Sequence, residues 1–180
     1  MKKTVSLLFV MAVLLAASPA AFGQSWGVTG TTNVSVTVAA EAAISVNSAT
    51  PLASAGTLFA NYTGSTSFSY KVRTAASGGS GSITAQVTSD FSPNGGPSVA
   101  TSGATGNTLS YGCSLSGVGT ACGGSVTAST TASTDVASFG ENARSAKAGD
   151  SGTLNWVLVN DPQYPTGDYE ATVTFTISAT

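Results

Sequence analysis

Between Gly152 and Thr180 the chain alternates apolar and polar residues in two successive runs, and this period of two limits the fold more than any other feature. Leu154, Trp156 and Leu158 alternate with Asn155 and Val157 in the first run. In the second, Tyr169, Ala171, Val173, Phe175 and Ile177 alternate with Glu170, Thr172, Thr174, Thr176 and Ser178. Successive side chains of a strand point to opposite faces, so such runs predict strands with one buried face.

The same period recurs upstream. Thr32–Val38 places Val34, Val36 and Val38 on one face, and Ile44 and Val46 resume it after the alanines of 39–43. This predicts a long strand, bent or bulged at the alanines. Pro51 marks a connection, after which Leu58, Phe59 and Tyr62 are expected to act as apolar anchors before Gly64. Ser67–Thr74 predicts a strand with Phe68, Tyr70 and Val72 inward and Lys71 and Arg73 in water. The glycines of 75–81 predict a hairpin loop, and Ile83, Ala85 and Val87 the returning strand, closing at Phe91. A turn is expected at Pro93–Pro97 and a Gly-, Ser- and Thr-rich connection over 98–107. Shorter strands follow at Thr108–Cys113 (Leu109, Tyr111), Ser125–Ser129 and Val136–Phe139, with Ser114–Gly124 as a loop. Glu141–Asp150 is the most charged stretch and reads as a helical turn or exposed loop. Pro165, Thr166 and Gly167 suit a type I turn. Strands spaced by about ten residues with turn signals between them read as an antiparallel sandwich or barrel.

The 180 residues suit one domain. Residues 1–23 are excluded from it. Lys2 and Lys3, the apolar run Val5–Ala17, and Ala21 and Gly23 before Gln24 have the form of a cleaved secretory signal peptide. A membrane anchor is the rival reading, but spanning a bilayer takes about 20 apolar residues and this run is shorter. Residues 24–180 are therefore expected as one exported, soluble β-domain, with no membrane association after cleavage. In such a compartment Cys113 and Cys122 predict one disulfide.

Charge and residue types narrow the function. Only 8% of residues are charged, and beyond Lys3 four cations face eight carboxylates, a net charge of −4. Nothing there neutralises a phosphate backbone, which argues against nucleic acid as a partner. The chain has no histidine, so a Ser–His–Asp arrangement is excluded, and a disulfide removes both thiols. No phosphate-binding glycine loop occurs. Asp161, Asp168 and Glu170 come closest to a carboxylate cluster; they read as a calcium site or, better, as a solvated turn, because EF-hand spacing is absent. Asn33 and Asn61 stand in glycosylation sequons. Trp26 and Trp156 suit stacking on a sugar, although Trp156 also fits the buried face of its strand. No catalytic site, metal or cofactor is expected.

The two ends of the chain resemble a known family. Val34, Val36, Val38, Ile44 and Val46, followed by Phe59, Tyr62 and Gly64, look like the start of fimbrial subunits related to spore coat protein U. The ending, Gly167, Tyr169, Val173, Phe175 and Ile177, looks like the last strand of such pilins. The resemblance implies an incomplete immunoglobulin-like sandwich completed by a neighbour's N-terminal strand. Val34, Val36 and Val38 would be strand-donor anchors, and Tyr169, Val173, Phe175 and Ile177 would border the acceptor groove. The chain departs from the family where a first-strand cysteine is often found, carrying Ala42 and Ala43, and its cysteine pair lies mid-chain.

These readings converge on an all-β, antiparallel immunoglobulin-like (pilin-like) sandwich and a non-catalytic structural protein of the bacterial cell surface. It is expected to self-associate or to join other surface subunits as a pilus or filament. The alternative is a secreted carbohydrate- or cell-wall-binding module, with glycan as the partner.

Overall fold

The computed structural model describes residues 27–92, 95–100 and 109–180. The expected signal peptide, Trp26, the first residues of the Pro93–Pro97 turn and most of the 98–107 connection lie outside them. Two units are distinguished, Met1–Thr37 and Val38–Thr180. In the first, residues 27–37 form no strand and are exposed.

The described residues of the second unit form ten strands: β1 (Glu41–Val46), β2 (Ala53–Ser54), β3 (Tyr62–Arg73), β4 (Gly81–Ser92), β5 (Leu109–Ser116), β6 (Thr120–Ala121), β7 (Ser125–Thr127), β8 (Thr134–Phe139), β9 (Asp150–Leu158) and β10 (Glu170–Ala179). Every pairing is antiparallel, and no helix occurs among the described residues. One sheet runs β1-β3-β9-β5-β7, with β2 on β3; the other runs β10-β4-β8-β6. The two sheets enclose one core, the arrangement of a β-sandwich.

The core follows from the alternation. Phe68, Tyr70 and Val72 of β3, Ile83, Ala85 and Val87 of β4, and Leu154, Trp156 and Leu158 of β9 are all buried. Tyr111 meets Trp156 edge to face at 5.0 Å between ring centroids. Tyrosines buried this deeply need partners for their hydroxyls. Tyr111 donates across the sandwich to the carbonyl of Asp135 at 3.0 Å, and Tyr70 donates to the carbonyl of Val118. Register sets the two ends of the molecule. Glu41 pairs with Arg73, Tyr70 with Asp150 and Gly81 with Ala179 at the proximal end, where β1 begins. Tyr62 pairs with Leu158 and Ser92 with Glu170 at the distal end.

Cys113 and Cys122 form the expected disulfide, with Cα atoms 5.5 Å apart. The loop expected over 114–124 is in part strand. β5 extends to Ser116 and β6 begins at Thr120, so the disulfide joins a strand of one sheet to the end of β6 in the other.

Three expectations are corrected. Thr32–Val38 is not a strand; β1 begins at Glu41 and runs through the alanines expected to interrupt it, because the β3 register starts there. Leu58 and Phe59 do not anchor the core. The turn closed by Ala60 N–H donating to Thr57 C=O at 2.9 Å puts them at a loop tip, 93% and 62% exposed. The charged stretch 141–150 takes the second of its two expected forms, a loop. The hydrogen-bonded turn after β9 is Asp161–Tyr164 rather than one at Pro165–Gly167. Pro162 occupies its second position, and Asp161 Oδ1 accepts the N–H of Gln163 at 2.8 Å, a local contact that favours a turn there.

Candidate functional site

Half-burial marks the place where the sandwich stays open. The inward residues of β3 alternate fully buried with exposed, whereas those of β10, Ala171, Val173, Phe175, Ile177 and Ala179, are only partly buried. Ala42, Ile44 and Val46 of β1 show the same pattern. The cause is topological. β1 is an edge strand of one sheet and β10 of the other; they lie near each other without pairing. Among the described residues nothing pairs with the outer edge of either strand. Backbone donors and acceptors on such an edge remain available to a further strand.

Toward the distal end this opening widens into a groove of about 780 Å³. Leu109, Trp156 and Leu158 form its floor. Val46, Leu52 and Tyr62 line one wall, and Ala171, Val173 and Phe175 the other. Local sequence builds these walls. A side chain at Gly64 would collide with the Pro51 carbonyl and with Leu52, so glycine lets the connection after β1 cross closely over β3. The ring of Tyr169 packs where a side chain at Gly96 would stand, and its hydroxyl donates to the Pro165 carbonyl at 2.8 Å.

Polar groups of Asn47, Ser48, Thr50, Asp168 and Glu170 stand among the apolar ones along the groove. Thr66 is buried, accepts the indole N–H of Trp156 at 2.7 Å and bonds the hydroxyl of Thr50 at 2.6 Å. The hydroxyl of Tyr164 is buried without a hydrogen-bond partner. Burial, with a smaller contribution from the Asp161 carboxylate, pushes its phenol above the ordinary value. The walls therefore offer apolar contact and two free backbone edges, a combination suited to an extended chain.

The structure separates the other candidate residues. Val34, Val36 and Val38 are exposed, at 93%, 84% and 61%. Tyr169, Val173 and Phe175 line the groove, and Ile177 continues the same face of β10. Trp156 is 4% exposed and presents no open face to a sugar. Asp161 is buried whereas Asp168 and Glu170 are exposed, and no group of three metal-ligating side chains occurs among the described residues. The sequence had not marked Tyr164 or the Thr50–Thr66–Trp156 chain, because no pattern of residue types flags a loop tyrosine or a strand threonine as part of a groove. No helix of the described residues is long and apolar enough to cross a membrane, and the disulfide fits an oxidising compartment. Comparison with protein-family models, curated proteins and solved structures returns no match.

Proposed function

We propose that this chain is an exported, non-catalytic structural subunit of the bacterial cell surface that forms filaments by β-strand addition. Residues 27–38 of one copy occupy the groove between β1 and β10 of the next. One observation carries this reading. An apolar row on β10 is left half-covered at an open sheet edge, while the same chain carries an unpaired segment whose apolar row is exposed. Each supplies what the other lacks.

Topology supports it. The order β1-β3-β9-β5 follows the A-B-E-D sheet of an immunoglobulin-like domain, and β10-β4 follows F-C. Strand G of that fold would pair with the edge of β10 that is open here. Reach is sufficient, since twelve extended residues span roughly 40 Å at 3.3 Å each, against about 33 Å for the ten of β10. Burying each valine is worth about 1.5–3 kcal/mol before ordering costs. The absence of histidine and of free thiols supports a non-catalytic role.

The test is a labelled peptide spanning residues 27–38, added to the mature protein, with multimers followed by non-denaturing sizing. The peptide should bind and cap multimer growth. Val34→Asp with Val36→Asp should abolish multimers and leave a folded monomer, because a carboxylate entering an apolar groove is heavily penalised. Multimers unchanged by the double substitution, or a peptide that does not bind, would refute strand addition.

A further inference from the structure

The sequence scatters its few charges, and the fold sorts them. Beyond Lys3 there are four cations, Lys71, Arg73, Arg144 and Lys147. All four lie at the proximal end. Arg73 ends β3 and forms an isolated bridge with Arg144, while the Lys71 side chain passes beside Gly149, two residues from Lys147. Of the three carboxylates at that end, Glu41 pairs with Arg73 at 3.1 Å. Glu141 accepts the N–H of Gly78, and Asp150 accepts those of Val118 and Ala146. Lys71, Arg144 and Lys147 are exposed. The distal end is the reverse. Asp90, Asp161, Asp168 and Glu170 belong to it, with no cation in the elements and loops that form it. Asp168 and Glu170 stand exposed at the mouth of the groove. Leu58 and Phe59 extend from the same end, exposed.

Resting on strand addition as proposed above, we infer that the two ends of the sandwich form a second, electrostatic contact that fixes the direction of insertion: the acidic distal end of one copy docks against the basic proximal end of the next. The geometry allows two directions. β10 runs from distal to proximal, and the donor segment joins its own sandwich at the proximal end, where β1 begins. A donor parallel to β10 ends at the acceptor's proximal end and brings cations against cations. A donor antiparallel to β10 ends at the distal end and brings cations against Asp168 and Glu170. It also covers Leu58 and Phe59 with the neighbouring copy. Residues 27–38 carry no charge, so the groove alone does not discriminate by this means. The ends do, by steering encounter and by penalising the wrong juxtaposition.

The test separates the two contacts. Multimer growth of the mature protein is followed by light scattering between 20 and 300 mM NaCl, in parallel with binding of the uncharged 27–38 peptide. Charges that face across the junction are screened over about 10 Å at 0.1 M salt. Growth should slow about 10-fold or more across the range, within the span of steered association, while peptide binding changes little. Arg144→Glu with Lys147→Glu lies outside the groove and should bind peptide as wild type does. Its growth should be slower at low salt and should accelerate as salt is added, because like charges now meet. Growth insensitive to salt and to this reversal, with peptide binding intact, overturns the electrostatic contact and leaves the groove reading standing. Failure of the wild-type protein to bind peptide or to form multimers overturns both.

Discussion

Thr66 of β3 takes the indole N–H of Trp156 on β9 at 2.7 Å, so the largest side chain of the groove floor is held by a single buried hydroxyl. Thr66→Val keeps the shape and removes the acceptor. The indole donor is then buried without a partner, and Thr50 loses its bond as well. Leaving a buried donor unsatisfied costs about 1–3 kcal/mol. Denaturant unfolding should show a lower midpoint with an unchanged slope.

The disulfide is expected to act on stability rather than on architecture. Cys113 and Cys122 are separated by nine positions and tie the two sheets at their edges. Closing a loop this short contributes about 2–3 kcal/mol by chain entropy. Cys113→Ser with Cys122→Ser should retain the strand signature in far-ultraviolet circular dichroism and lose stability of that order. A loss well below 1 kcal/mol would show that the unfolded chain is already compact around this connection.

Asp90 organises the connection after β4. Burial raises its pKa, but the N–H groups of Ala100 and Val99, the hydroxyl of Ser98 and the N–H of Phe91 outweigh that and hold the carboxyl below its ordinary value. A lowered folded pKa means the contribution is complete above the unfolded value of about 3.9 and disappears as pH falls through the folded one. Asp90→Ala should therefore cost about 1–3 kcal/mol at pH 7. The gap between variant and wild type should narrow as pH is lowered from 5 toward 2. A gap that is constant with pH would mean the carboxylate charge has no part in it.

Much of the core was legible in the sequence because period two reports directly which side chains share a face. Phe68, Tyr70 and Val72, and Leu154, Trp156 and Leu158, were read inward and are buried. The same signal misled at Val34, Val36 and Val38, where alternation announces a face to be covered without saying by what. Leu58 and Phe59 depart from the expected anchors because hydrophobicity alone carries no turn geometry. Phe59 adopts a left-handed backbone, φ 59°, at the tip of its loop. The sorting of charge is hidden in the sequence because Lys71 comes beside Gly149, two residues from Lys147, only once β3 and the β8–β9 connection are packed together. The groove was hidden for a related reason, since an opening is made by strands that fail to pair, and pairing is long-range.

Tyr164 gives the sharpest separation between folding and docking. Its hydroxyl lies buried beside the groove without a partner, a feature that disfavours the fold of the chain alone. An extended segment laid along β10 carries N–H and C=O groups on its edges, and one of these would satisfy the hydroxyl once the Tyr164 side chain turns toward it. Tyr164→Phe removes the hydroxyl and keeps the ring. Stability of the monomer should then stay level or rise by up to about 1 kcal/mol, because an unsatisfied buried group has been deleted. Affinity for the 27–38 peptide should fall by roughly 5- to 10-fold, the equivalent of about one hydrogen bond. Isothermal titration of the peptide alongside thermal unfolding of the monomer reads both quantities. A monomer destabilised by the substitution, with peptide affinity unchanged, would assign the hydroxyl to the fold and remove it from the docking surface.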